Sequence, residues 1–329
     1  MVKVGVEIVP QYPIREIAEL VRELENIGID QVWFTDHFFN RNPYVAACAA
    51  GMVTKRIELG IGVTNPYVMH PAYIASLALS LNELTEGRFN LGLGAGDKTT
   101  LEMIGIKREK ALTRLREAIL IIRELVQGRK VSFEGSVFRI SNAKMFYTYR
   151  PVKVYVGAQA TKTLQLAGEL ADGVLLNASH LDMLKLMIDK VKEGASRASR
   201  SADSLEIIAH TCVSASDTVD KARKIVRPYV AFIAAGLPDE YLDKFGIRDK
   251  VETIRKAFQE GGVKKASETV TDDLIDLLAI VGTYRECIDK IMDIINKLNI
   301  NVTIGSPIAS SMDEAKRFLN MVVQAVKST

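Results

Sequence analysis

An α/β fold, a closed (βα)8 TIM barrel, is the class this sequence predicts, and three observations predict it. Eight short runs rich in Val, Ile, Leu and Gly recur along the chain, and amphipathic helical patterns separate them. No Gly/Ser/Pro-rich linker divides the 329 residues, a length that suits one barrel with insertions. Strands alternating with helices imply parallel pairing through right-handed crossovers, and eight such units fit a closed barrel better than an open sheet. Residues 1–329 therefore read as a single domain.

The apolar runs are Val2 to Val9, Gln31 to Thr35, Ile57 to Val63, Arg88 to Leu93, Val152 to Gly157, Gly173 to Asn177, Leu205 to Val213 and Asn301 to Gly305. Ile14 to Asn26, Ala72 to Leu84, Lys110 to Val126 and Leu181 to Ala198 carry the helical period between them. Two stretches depart from the rhythm and read as insertions at the rim. Over about 128–150, Val131-Ser132-Phe133 and Val137-Phe138-Arg139-Ile140 flank Glu134-Gly135-Ser136 as a hairpin. About 236–272 is helical and charged, and delays the last strand.

The formal net charge is +3 with the signs interspersed, so the basic footprint of a nucleic-acid binder is missing. No signal-peptide pattern and no bilayer-length apolar run occurs, which leads us to expect a cytoplasmic protein without membrane partners. Cys48, Cys212 and Cys287 are odd in number and widely spaced, a pattern of buried thiols rather than of disulfides or a metal site.

Function in such a barrel gathers at the C-terminal ends of the strands. Gly60-Ile61-Gly62-Val63-Thr64-Asn65-Pro66, followed by His70-Pro71, is a strand end running into a helix start; it reads as a ligand cradle with close backbone approach and free amide donors. The other strand ends supply Glu7, Asp36-His37, Gly94-Ala95-Gly96-Asp97-Lys98, Gly157-Ala158-Gln159 and Asn177-Ala178-Ser179-His180. None of the common zinc or P-loop spacings is present, so no metal is expected and a bound organic cofactor is favoured.

Several of these residues admit two readings. Alternation along the first strand puts Gly5 and Glu7 on the face opposite Val4, Val6 and Ile8; a carboxylate pointing into the barrel is either a structural ion pair or a catalytic group. Asp36-His37 lacks a convincing second histidine pair, because His70, His180 and His210 lie on separate elements; His37 then reads as a satisfied rim residue rather than a ligand. Gly92-x-Gly94-x-Gly96 has the wrong spacing for a dinucleotide fingerprint, and no helix is expected directly after it. Asn90, Gly92, Gly94 and Gly96 share a face whose missing side chains leave room for a flat ring. Gly157-Ala158-Gln159 and Asn177-Ala178 offer amides to a phosphate, or are ordinary turn chemistry.

Together these residues carry a resemblance. Glu7, Trp33-Phe34-Thr35-Asp36-His37-Phe38, the Gly60 to Pro66 loop with His70-Pro71, Gly87-Arg88-Phe89 with Gly92-Leu93-Gly94-Ala95-Gly96-Asp97, Tyr155-Val156-Gly157-Ala158-Gln159 and Ala171-Asp172-Gly173-Val174 resemble the bacterial-luciferase-like superfamily over essentially the whole chain. Glu7, Asp97 and Thr64-Asn65-Pro66 draw the resemblance toward its deazaflavin-dependent archaeal branch.

The resemblance implies coenzyme F420 as hydride carrier and a one-carbon unit on tetrahydromethanopterin as substrate. The implied reaction reduces the methylene bridge of 5,10-methylenetetrahydromethanopterin to a methyl group, in methanogenesis or its reverse. It places cofactor contacts at Asp36, His37, Gly62, Val63, Thr64, Asn65, Gly94, Ala95, Gly96, Gly157, Ala158, Gln159, Asn177 and Ala178, and a non-prolyl cis peptide at Gly62-Val63. Glu7 becomes the acid and Asp97 a second carboxylate that orients the pterin or tunes Glu7, with Asp97 or Asp36 the fallback acid. A homodimer or homotetramer is expected. The rivals are another F420- or FMN-dependent oxidoreductase or monooxygenase of the superfamily, a noncatalytic flavin-binding relative, and a metal-dependent hydrolase using Asp36 and His37.

Overall fold

A computed structural model describes residues 2–328. In chain order its elements are β1 (Val4–Ile8), α1 (Ile14–Ile27), β2 (Gln31–Phe34), α2 (Pro43–Val53), β3 (Glu58–Thr64), α3 (Pro71–Leu84), β4 (Phe89–Leu93), α4 (Lys98–Met103), α5 (Ala111–Val126), β5 (Val131–Glu134) and β6 (Arg139–Ala143). Then follow β7 (Lys153–Ala158), α6 (Thr161–Leu170), β8 (Gly173–Asn177), α7 (Leu181–Arg197), β9 (Glu206–Ser216), α8 (Val219–Gly236), α9 (Asp239–Lys244), α10 (Arg248–Glu268), α11 (Asp272–Leu278), β10 (Ile280–Thr283), α12 (Tyr284–Leu298), β11 (Asn301–Ile308) and α13 (Met312–Lys327).

Each of the eight apolar runs holds one strand of the main sheet. Their order is β9-β11-β1-β2-β3-β4-β7-β8, with β9 pairing β8 again, which is the strand order of a (βα)8 barrel. Residues 131–143 form the separate β5-β6 hairpin. One strand was not expected from the sequence: β10 lies parallel to β9 at its outer side, Ile280 opposite Val213.

The chain divides into two compact units. The first comprises the chain up to Val6, Leu176–Met187 and the chain from Ile208 onward. Its core joins β9, β10 and β11 to α8, α11 and α12 through Val213, Val226, Ile280, Ile291 and Ile304, all buried. Burial pushes the Cys287 thiol up to about 12, so it is inert at neutral pH. Thr283 caps α12 in a reciprocal capping box with Glu286.

The second unit comprises Glu7–Leu175 and Ile188–Ile207. Its centre is Trp33, fully buried on β2 and edge-on to Tyr155 of β7 at 5.0 Å. Gly60 is required beside it, because a Cβ there would stand 2.5 Å from the indole. Cys48, on α2 in this unit, is only half-buried, so the expectation of three buried thiols holds for Cys212 and Cys287 but not for Cys48.

Two buried glutamates hold the loops of the second unit by the same device. Glu25 at the end of α1 accepts the consecutive backbone N–H groups of Lys55, Arg56 and Ile57 at 2.8, 2.6 and 3.0 Å. Glu117 of α5 accepts those of Ser136, Val137 and Phe138 at 2.8, 3.0 and 2.9 Å and so fixes the hairpin turn. Burial alone would raise both carboxyls; three amide donors apiece outweigh it and hold both below the ordinary 4.5. Their stabilisation is complete above that value and is lost as pH falls through the folded-state values. Urea unfolding of the wild type should show a midpoint that drops on acidification from about pH 6 to about pH 3.5. Glu25→Gln/Glu117→Gln should be less stable at neutral pH by about 1–3 kcal/mol per site and less sensitive to acid. An equal acid sensitivity in both proteins would refute this.

Candidate active site

Within the second unit the third strand ends in an unusual wall. β3 and β4 run in register from Leu59 opposite Phe89 to Ile61 opposite Leu91, then shift, so that Thr64 faces Leu93. The Gly62-Val63 peptide within that shift is cis, as the resemblance implied. Three glycines of neighbouring strands receive the Val63 side chain. A Cβ on Gly94 would lie 2.5 Å from Val63 Cγ2, and one on Gly157 would lie 2.8 Å from Cγ1. A Cβ on Gly92 would collide first with the backbone oxygen of Ile61 and then touch Val63 Cγ1.

The expectation that the glycine face of the fourth strand lies open for a ring is therefore corrected. Val63 fills the space at Gly92 and Gly94, and the Tyr67 ring and Leu101 close on Gly96. The surface these glycines create is indirect: they seat Val63, and the half-buried Val63 bulge is what a planar ligand would meet.

Behind the wall, Asp36 follows β2 and Thr64 closes β3. Thr64 Oγ1 donates to Asp36 Oδ2 at 2.6 Å. Burial drives the Asp36 carboxyl above its ordinary value against the opposing effects of Thr64 and His37, so it keeps its proton to higher pH than a surface aspartate. His37 is exposed, with its ring edge-on to Phe39 at 6.0 Å. Asn65 is buried and its Oδ1 accepts from Tyr67 N–H at 3.1 Å, turning the chain toward α3. His70 caps α3 through Nδ1, which accepts from Ala72 N–H at 3.2 Å.

Gly94-Ala95-Gly96 leads into α4, a helix that was not expected there. Asp97 is its N-cap: one carboxylate oxygen accepts from both the N–H and the Oγ1 of Thr100 at 2.6 Å, and the side chain is exposed. Ala95 O accepts from Arg108 Nε at 3.1 Å. Arg114 of α5 lies between the rings of Tyr67, at 4.4 Å, and Phe138, at 5.3 Å, and donates to Pro66 O. That stack ties the loop after the cis bond to the hairpin.

Glu7 lies in the second half of β1, half-buried and not without partners. Thr35 N–H donates to Ile8 O, which sets the end of β1 beside the residue preceding Asp36. Gly157 and Ala158 end β7, and α6 opens after Gln159 with Ala160 as a cap that makes no side-chain hydrogen bond. Asn177 and Ala178 belong to the first unit, where Asn177 is exposed, Ala178 buried, and Ser179 Oγ accepts from Cys212 N–H at 2.9 Å. Among the described residues no group of three His, Cys, Asp or Glu side chains could hold a metal ion.

The luciferase-like monooxygenase family model matches residues 1–300. The chain belongs to that family. Within the family, it is 40% identical over 311 residues to the 5,10-methylenetetrahydromethanopterin reductase of Archaeoglobus fulgidus, covering 93% of this chain and 94% of that protein. It is 36% identical over 321 residues to the enzyme of the same name from Methanolobus tindarius, covering 96% and 97%. The solved coenzyme F420-dependent tetrahydromethanopterin reductase of Methanopyrus kandleri superposes with a TM-score of 0.88 at 31% identity, over 99% of both chains. The fold is the luciferase-like (βα)8 barrel.

Two residues packed beside these positions escaped the sequence reading. Arg114 carries no signal, being one basic residue of an amphipathic helix. Tyr44 could have been placed: Asn42-Pro43 is a cap followed by a first-turn proline, so Tyr44 opens α2 eight residues after Asp36.

Seating of Val63 by glycine is directly testable. Gly94→Ala should cost about 1–3 kcal/mol of stability, and Val63→Ala should cancel most of that cost, because the obstructing methyl is gone. Gly92→Ala should not be rescued, since backbone is its first obstacle. Denaturant unfolding of the single and double variants reads the coupling; additive effects for Gly94 and Val63 would remove the claim.

Proposed function

We propose that this chain is a single catalytic domain of the cytoplasm that transfers hydride from reduced coenzyme F420 to the methylene bridge of 5,10-methylenetetrahydromethanopterin, giving the 5-methyl product, in methanogenesis or its reverse. The observation that carries this is near-complete coverage of reductases of that name at 40% and 36% identity. The site residues support it. Val63, seated by glycines, offers an apolar wall to a planar ring, and the start of α6, which carries no side-chain cap, suits a phosphate. Within the second unit, Asp36, Thr64, Asn65 and the backbone of Gly94 to Gly96 and of Gly157 to Gln159 are what we assign to holding F420. When bound, F420 supplies the hydride.

The chain's own task is to orient the substrate, exclude water and deliver a proton. The methylene carbon is locked between two nitrogens. A proton delivered to one nitrogen opens that ring and leaves an iminium carbon able to accept hydride, and a positioned acid is worth roughly two to four orders of magnitude. Glu7 is assigned that proton. Asp36, whose burial keeps it protonated upward of the usual range, is the second candidate. Asp97, engaged as a helix cap, is left the smaller part of orienting the pterin.

A homo-oligomer is part of the proposal. α2 and α3 expose the large apolar side chains Val45, Met52 and Tyr73, with Met52 at 72%, which a second copy would cover. Sizing chromatography with light scattering should give a multiple of the chain mass; a monomer would contradict this.

Three outcomes test the function. Equilibrium titration should show clearly tighter binding of F420 than of flavin mononucleotide. The absorbance change of reduced F420 on oxidation should require methylene-tetrahydromethanopterin. Glu7→Gln should lower turnover by at least about a hundredfold with F420 affinity little changed, while Asp97→Asn, still a competent cap, should cost far less. Near-normal turnover of Glu7→Gln would move the acid to Asp36.

A further inference from the structure

Arg114 of α5 joins the turns that follow β3 and β4 to the rim hairpin, all within the second unit. Its guanidinium lies over the Tyr67 ring at 4.4 Å and over the Phe138 ring at 5.3 Å, and Nη1 donates to Pro66 O at 3.3 Å. Tyr67 is tied at both ends: its N–H donates to Asn65 Oδ1 at 3.1 Å and its hydroxyl to Glu109 O at 2.9 Å. The edge of the same ring closes on Gly96, where an added Cβ would stand 3.2 Å from two ring carbons and where the backbone takes a φ of +77°. On the far side of the stack, Phe138 is fixed by Glu117 through its N–H and lies edge-on to His70 at 5.5 Å.

Methionine or leucine would fill a gap between two rings if packing were all this position required. Arginine leaves its Nε buried without a partner, which is unfavourable. A planar cation supplies in exchange what an apolar side chain cannot: attraction to both ring faces and donation to the carbonyl between them and β3. What it grips is the turn at 65–67 and, through the Tyr67 ring, the turn at 94–96. Both belong to the part of the site assigned above to F420, and supports of this kind decide whether groups that meet a ligand stand in their binding positions.

We propose that Arg114 is a positioning residue of the cofactor site: acting through Tyr67 and Pro66, it clamps the turns at 65–67 and 94–96 in the arrangement that binds F420. This rests on the F420 reading above. The role is in affinity for the cofactor, and the chemical step is left to other groups.

Arg114→Met keeps an apolar stem and removes the planar cation. Well below its own unfolding temperature, its Kd for oxidised F420, read by fluorescence titration, should rise about tenfold. The KM for reduced F420 should rise by a similar factor, with kcat changed less than about threefold at saturation. Arg114→Lys keeps the charge without the fork; it should raise the Kd about threefold, and it carries the test if the methionine variant does not fold. Because the effect runs through the Tyr67 ring, Tyr67→Leu/Arg114→Met should bind F420 within about threefold of Tyr67→Leu alone. Wild-type F420 affinity in a folded Arg114 variant would overturn the inference even if its unfolding temperature fell, since Arg114 would then serve the fold only. Fully additive losses in the double variant would overturn it as well. A wild-type chain that fails to bind F420 would overturn the functional reading, and this inference with it.

Discussion

The structure of the candidate site depends on one steric fit: Val63 seated among glycines of adjacent strands. With side chains at Gly94 or Gly157 the valine could not occupy its place, and a side chain at Gly92 would meet the backbone of β3 as well. Everything next along the chain follows from that placement. Thr64, the residue after Val63, ends the strand with its hydroxyl on Asp36; Asn65 turns the chain; Tyr67 is gripped by the Arg114 guanidinium.

Chemistry is distributed around this wall according to burial. Asp36 is sheltered, held by one hydroxyl, and shifted toward its protonated form; Asp97 is exposed and its oxygen is committed to a helix start. Both aspartates stand at strand ends, and their environments separate them. Glu25 and Glu117 show the opposite balance, since three amide donors each hold them below the ordinary value against the effect of burial.

The eight barrel strands were legible because each is a compact run of branched apolar residues between polar or glycine boundaries. β10 was not, because Ile280 to Thr283 is four residues long and lies against helical sequence on both sides. The ring-sized gap read from Gly92, Gly94 and Gly96 failed for a physical reason: alternation shows which face lacks side chains, not which neighbour's side chain fills it. Asp97 was read as chemistry although Asp-x-x-Thr is also a cap spacing, and Tyr44 was passed over because a tyrosine in an apolar helix looks like core. Strand-end positions were visible in the sequence; partnerships across strands were not.

The central claim is direct hydride transfer from F420 to the pterin-bound carbon within one water-excluding site. Reduced F420 carrying deuterium at its transferable carbon, mixed anaerobically with the protein and methylene-tetrahydromethanopterin, tests it in a single turnover. Direct transfer predicts one deuterium in each product methyl group by mass spectrometry. A methyl group free of deuterium, with the label released to water, would contradict it.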